Sequence, residues 1–255
     1  MPFLERDGCS IHYEVRGDGE PVVLLHGFTS SFRRNWVGTG WVAALVGCGR
    51  RVVGLDLRGH GESSKPHHPE RYETAELARD VAAVMDAAAG PAADVVAFSM
   101  GAGVALRLAM DELQRVRRLA LGGIGDAALR GHGDPAIVRA LVEALTAAQI
   151  ADVPAGPARQ VRQFADEATN DLAALAALPA RGGWPGDLED PVAVEAPVLL
   201  LVAAADQFMH GHERLLELLP NAEVVRLAAP SHGAIVRDPA ARDAVLRFLE
   251  RPLAQ

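Results

Sequence analysis

Apolar and polar positions alternate with a period of two in the second segment of the chain. Ile11, Tyr13 and Val15 are interleaved with His12, Glu14 and Arg16, the pattern of a half-exposed strand. Asp7-Gly8, a favoured hairpin pair, joins it to a short strand over residues 3–5. After Gly17-Asp18-Gly19 the pattern changes to continuous apolar runs: Pro21 to Leu25, Arg51 to Asp56, Val95 to Phe98, Val116 to Leu121 and Ala196 to Ala203. Such runs predict strands covered on both faces, as in a parallel sheet. A further strand is predicted over Glu223 to Leu227.

Between these runs the period shifts towards that of a helix. Trp36, Trp41, Val42, Leu45 and Val46 predict an irregular helix ended by Gly47 to Gly49. Leu77, Val81, Val84 and Met85 predict a helix from Thr74 that stops before Gly90-Pro91. Val104, Leu106, Leu108 and Ala109 predict a third. Helices are also expected around Glu213 to Leu219 and over Pro239 to Leu249, the latter with Ala244, Val245, Phe248 and Leu249 on one face. The recurring order of strand, loop and helix predicts an α/β fold with a mostly parallel sheet and helices on both faces.

That order breaks between about Asp126 and Asp190. Pro135 to Gln149 and Ala158 to Leu178 read as two helices with no strand between them, bracketed by Gly122-Gly123-Ile124-Gly125, Gly131-His132-Gly133 and the stretch from Arg181 to Gly186. The expectation is a core domain of residues 1–125 and 191–255 with a helical cap, residues 126–190, over the C-terminal edge of the sheet. Ile137, Leu141, Leu145, Phe164, Leu172 and Trp184 are candidate pocket walls, although most residues of this type on amphipathic helices pack into core.

Composition narrows the function. The chain has 255 residues, 49% of them hydrophobic but only 5% aromatic, so its core is mostly Ala, Val and Leu. The formal net charge is −8 and the basic residues are dispersed, which argues against a nucleic-acid partner. No apolar run approaches the roughly 18–20 residues needed to span a bilayer. The first residues carry no basic-then-apolar leader, and Cys9 and Cys48 have no metal or redox spacing. These features predict a protein of the reducing cytoplasm with no membrane partner; nothing in them fixes an oligomeric state.

Ligands of open α/β sheets bind outside the carboxyl ends of the strands. Three residues in the loops at those ends carry complementary chemistry. Ser99 follows the strand Val95 to Phe98 and precedes the small residues Gly101, Ala102 and Gly103. Asp206 follows the strand ending at Ala203, and His232 lies in Pro230-Ser231-His232-Gly233. A serine hydroxyl needs a base to take its proton, imidazole serves near neutral pH, and a carboxylate fixes the imidazole tautomer. Each residue alone has an ordinary alternative: a loop serine, a helix cap, one of nine histidines. Their order, each just past a separate strand, points to a nucleophile, acid and base. Asp126 is the competing acid. His210-Gly211-His212-Glu213 lacks a third partner with metal-ligand spacing and reads as a solvated helix start.

These motifs, together with His26-Gly27-Phe28 after an early strand and Asp56-Leu57-Arg58-Gly59-His60-Gly61-Glu62-Ser63, resemble the α/β-hydrolase family over nearly the whole chain. The resemblance implies an eight-stranded sheet, Ser99 as nucleophile, Asp206 as triad acid and His232 as base. It also implies the backbone N–H groups of Phe28 and Met100 as oxyanion hole, no cofactor and no metal. His26 and Arg58 are expected to support loops. The sequence departs from the family's usual pattern at Ala97 and Ala203, where glycine is usual. The implied activity is hydrolysis of a carboxylic ester or lactone of a small, largely apolar substrate. Carbon–carbon bond hydrolysis of a dienone-type product, perhydrolase or haloperoxidase-like chemistry, and a small-ligand receptor retaining the triad remain open at this point. Members that open epoxides or cleave carbon–halogen bonds use an aspartate nucleophile, and Ser99 argues against those activities.

Overall fold

A computed structural model describes residues 2–130, 134–181, 188, 192–206 and 211–252. Two antiparallel strands open the chain, β1 (Phe3–Arg6) and β2 (Cys9–Arg16), joined through Asp7 and Gly8, both at positive φ. The remaining strands are β3 (Glu20–Leu25), β4 (Arg50–Leu55), β5 (Ala93–Phe98), β6 (Val116–Gly122), β7 (Val198–Ala203) and β8 (Ala222–Leu227). They form one eight-stranded sheet in the order β1-β2-β4-β3-β5-β6-β7-β8, antiparallel only at the β1–β2 and β2–β4 pairs. The predicted architecture, an eight-stranded, mostly parallel α/β sheet, is the one observed.

Alternation along each strand divides the core into two layers. Val23, Leu25, Val53, Leu55, Val95, Ala97, Leu119, Leu121, Val198 and Leu200 face one layer. It is completed by α2 (Thr74–Ala88) and α3 (Met100–Asp111). Val22, Leu24, Val52, Val96, Phe98, Ala120, Leu199 and Leu201 face the other, against Trp36, α1 (Trp41–Gly47) and α8 (Pro239–Glu250). Both faces of the sheet are thus buried, which is why its strands read as unbroken apolar runs. Asp94, fully buried at the start of β5, is the exception; its carboxylate accepts hydrogen bonds from Arg50 and Arg118, so the charge is paired.

Three helices depart from expectation. The irregular helix around Trp36 is a π-helical turn, Arg33–Val37, separated from α1 by Gly38-Thr39-Gly40. The single helix expected over residues 158–178 is two, α5 (Pro157–Glu167) and α6 (Leu172–Ala180). Thr169 between them takes φ 51°, which ends α5, and the Asp171 carboxylate starts α6 by accepting the Ala174 N–H at 3.0 Å. The preceding helix is α4 (Pro135–Thr146), shorter than expected because Ala147 leaves the helical region. Buried Arg162 of α5 donates to the carbonyls of Ala144 and Ala147 at 2.9 and 2.8 Å, locking α5 to the end of α4. The last helix before β8 is α7 (Glu213–Leu218).

Of the candidate wall residues, Leu141 and Leu145 are buried in core, Leu172 packs against it and Ile137 is exposed. Trp184, His210 and the glycine-rich segments of residues 131–133 and 182–186 lie outside the described residues.

Candidate active site

Strand β5 ends at Phe98, and α3 begins at Met100, so Ser99 must turn the chain by itself. It does so at φ 55° and ψ −120°, a conformation rare for a residue with a side chain. The Ser99 N–H donates to the Gly122 carbonyl at 2.8 Å, and its own carbonyl accepts from Ala102 at 2.8 Å. The turn is therefore held on both sides. Ala97, where glycine is usual, is buried and pairs in register with Leu25 and Leu121; its methyl is accommodated within the core.

The loops after β7 and β8 bring two further side chains to this turn. Nε2 of His232 lies 2.9 Å from Ser99 Oγ, and its Nδ1 lies 2.8 Å from Asp206 Oδ2. Because the carboxylate can only accept, Nδ1 carries the proton, and Nε2 is left to accept from the serine hydroxyl. Asp206 is buried, which shields this charge from water. His232 opens a short 3₁₀ turn, His232–Arg237, anchored by buried Ile235 and Val236 and by the Trp41 indole N–H, which donates to the Val236 carbonyl at 2.7 Å. The competing acid, Asp126, is engaged elsewhere: its Oδ1 accepts the Leu215 N–H at 2.9 Å, in the first turn of α7.

Two neighbours of the imidazole are not apparent from sequence patterning. The Phe98 ring lies against it, with centroids 4.8 Å apart. Gly123, at φ 65°, leaves room for it, since a Cβ there would stand 2.8 Å from His232 Cε1 and 2.7 Å from Phe98 Cε2. The Gly122-Gly123 pair closing β6 was the only signal in the sequence, and it reads equally well as a simple strand end.

The loop after β3 forms the facing wall. The His26 Nδ1–H donates to the Gly27 carbonyl at 2.8 Å, while its Nε2 accepts the Leu57 N–H at 3.0 Å. The His60 Nε2 similarly accepts the Thr29 N–H at 3.2 Å, with Nδ1 facing the Arg58 carbonyl. Both rings must be neutral to accept in this way, and burial lowers both: His60 to about 3, His26 in the same direction. Arg58 is buried and binds the Asp80 carboxylate through two nitrogens, so His26 and Arg58 fill the supporting places expected of them. Burial works to raise the Asp56 carboxyl, but the hydrogen bonds it accepts from the Glu62 and Phe32 N–H groups and from His12 hold it low. It thereby ties β2, the His-Gly-Phe loop and the loop after β4 to one point.

Ser99 and His232 open into a cavity of about 290 Å³. Phe28, Asn35, Phe98 and Val236 line it from the core, and Val161 and Phe164 from α5. Phe164 is the only candidate wall residue among the described ones that reaches this cleft; Val161, one turn earlier, carries no separate sequence signal because it lies on the same face as the buried residues of the helix. No group of three or more potential metal ligands occurs among the described residues, and none of the described helices is long and apolar enough to cross a membrane.

This geometry can be set beside known proteins. Residues 20–239 match the alpha/beta hydrolase fold family. The chain belongs to that family of enzymes. Among solved structures it is similar to the enol-lactonase from Burkholderia xenovorans, at 25% identity and a TM-score of 0.79, covering 98% of this chain and all of that one. It is also similar to Est816, described as an N-acyl homoserine lactone degrading enzyme, at 25% identity and a TM-score of 0.75, covering 97% of this chain and 99% of that one. Among curated sequences, the dihydrolipoyllysine-residue acetyltransferase component of the acetoin cleaving system of Cupriavidus necator is 40% identical over 136 residues, 51% of this hydrolase-fold chain. The matched stretches span 34–41% of the length of the curated relatives they align with.

Proposed function

We propose that this hydrolase-family chain cleaves a carboxylic ester or lactone of a small, largely apolar substrate through a serine nucleophile. The observation that carries this reading is the hydrogen-bonded chain Ser99–His232–Asp206 opening on a cleft. His232 takes the Ser99 proton as Oγ attacks the acyl carbon, and Asp206 stabilises the imidazolium that forms. The negative charge then developing on the carbonyl oxygen is met by the main-chain N–H groups of Phe28 and Met100. Phe28 shares the cleft with Ser99, and Met100 begins α3, where N–H groups and helix dipole favour an anion. The imidazolium returns its proton to the departing alkoxide, leaving an acyl-serine. Water, deprotonated by the same imidazole, attacks this intermediate, releasing the acid and restoring the serine.

Most of the wall surface is apolar, with Phe28, Phe98, Val161, Phe164 and Val236 contributing to it, and Arg34 and Arg237 also line the cleft. They favour a substrate with a modest hydrocarbon acyl or alcohol part. Similarity over nearly the whole chain to structures described as an enol-lactonase and an N-acyl homoserine lactone degrading enzyme supports counting lactones beside open-chain esters. In this reading the helices of residues 126–190 act as a cap on the core of residues 1–125 and 191–255, with α5 as its substrate-facing part. The free thiols of Cys9 and Cys48 suit a cytoplasmic location.

Hydrolysis of p-nitrophenyl esters of graded acyl length, and of simple lactones, tests this assignment. Saturable turnover of at least one series, lost by on the order of 10³-fold or more in Ser99→Ala, is the expected result. Equal turnover by the wild type and Ser99→Ala would overturn it.

A further inference from the structure

The peptide after Phe28 is held in a conformation its residue disfavours. Ser30 N–H donates to the Gly27 carbonyl at 3.3 Å, closing a four-residue turn with Phe28 and Thr29 at its centre. Thr29 sits in the third position at φ 61°. A positive φ there is the signature of a type II turn, which normally calls for glycine or asparagine, and a β-branched residue is a clear outlier in that region. Something outside the turn must hold it.

Two hydrogen bonds do, one on each side of Thr29. Its N–H donates to Nε2 of fully buried His60 at 3.2 Å, from the core domain. Its carbonyl accepts from the Asn170 side-chain amide at 2.9 Å. Asn170 belongs to the break between α5 and α6, next to Thr169 at φ 51°. The same break carries two further ties to the core: Glu167 to Arg34 at 3.2 Å and Asp171 to His67 at 3.0 Å. Those two are exposed side-chain contacts and contribute little. The Asn170 contact differs in reaching the main chain of the cleft wall.

We infer that Asn170 is a positioning residue: by holding the Thr29 carbonyl it keeps the Gly27–Ser30 turn in its strained form and so aims the Phe28 N–H at the oxyanion. The inference rests on the serine mechanism proposed above. It makes the α5–α6 break part of the catalytic geometry, since a shift of that segment would let Thr29 relax to negative φ and rotate the peptides beside it. Asn170 touches neither substrate nor the reacting atoms.

Replacement of Asn170 by Ala removes the donor. The expected result is a fall in kcat of about tenfold with KM little changed, smaller than the roughly 100–1,000-fold loss on removing an oxyanion donor outright. Affinity for a boronic acid, whose tetrahedral adduct mimics the intermediate, should fall in parallel. The decisive variant is Thr29→Gly, because glycine adopts positive φ without strain. In the Thr29→Gly background, Asn170→Ala should cost less than threefold in kcat. An equal cost in both backgrounds would show that Asn170 acts through general folding of the helices, and an unchanged kcat in Asn170→Ala would show that it has no role; either overturns the inference. Ser99→Ala run alongside separates the two levels. If it abolishes hydrolysis while Asn170→Ala is silent, only the positioning role fails; if it leaves hydrolysis intact, the serine mechanism itself fails.

Discussion

A Cβ on Gly101 would stand 2.6 Å from the His26 carbonyl oxygen, and equally close to that of Leu25. The first turn of α3 therefore lies directly on the end of β3, and this contact sets the distance between the serine turn and the His-Gly-Phe loop. Backbone carbonyls of a central strand cannot move aside. Gly101→Ala is expected to destabilise the chain by about 1–3 kcal/mol and to reduce hydrolase activity more than the loss of folded protein explains. Ala97→Gly, two residues before the serine, removes a methyl from a packed site and should cost only about 1 kcal/mol. Urea unfolding of both variants checks this; a larger effect at residue 97 would contradict it.

Gly123 tests whether the imidazole's exact seat matters. Its Cβ would meet His232 and Phe98 at 2.8 and 2.7 Å, in a left-handed backbone conformation. Gly123→Ala should push the ring away from Ser99 and lower kcat by about tenfold or more while the far-ultraviolet circular dichroism stays unchanged. Wild-type kcat in a folded Gly123→Ala protein would show that the ring tolerates displacement.

The two buried histidines under the cleft predict an acid-labile fold. His60 is lowered to about 3 and His26 is lowered too, whereas both take their ordinary value near 6.5 once unfolded. Between these values the unfolded chain binds protons that the folded chain refuses. Stability is fully present above about pH 6.5 and is lost as the pH falls, at a limit of about 1.4 kcal/mol per pH unit for each histidine. Urea midpoints measured from pH 7.5 to 5 should decline, and His60→Gln, which keeps an acceptor for Thr29 but cannot titrate, should flatten the decline. An unaltered slope in that variant would exclude His60 as a source.

Much of the fold could be read from the residues because the sheet is buried on both faces. Unbroken apolar runs such as Pro21 to Leu25 and Val95 to Phe98 are of strand length and need cover on both faces, and the observed β3 and β5 extend them by a residue or two at most. The juxtaposition of Ser99, Asp206 and His232 was likewise legible, because the carboxyl ends of parallel strands converge on one edge. The helical region was less so. Alanine-rich stretches from residue 158 to 178 keep the helical period straight across the break at Thr169, whose positive φ is not signalled by threonine's own propensity. Gly123, Val161 and the Asn170–Thr29 contact were hidden for a related reason: each matters through a neighbour distant in sequence, and no local pattern records that neighbour.

Reaction with a fluorophosphonate probe tests the central claim most directly, since the phosphorus is attacked only by an activated hydroxyl. The account predicts rapid labelling of the wild-type chain, a single adduct on the peptide containing Ser99, no adduct in Ser99→Ala, and labelling slowed by on the order of 10³-fold in His232→Ala. Labelling at another residue, or the same rate with and without His232, would contradict it.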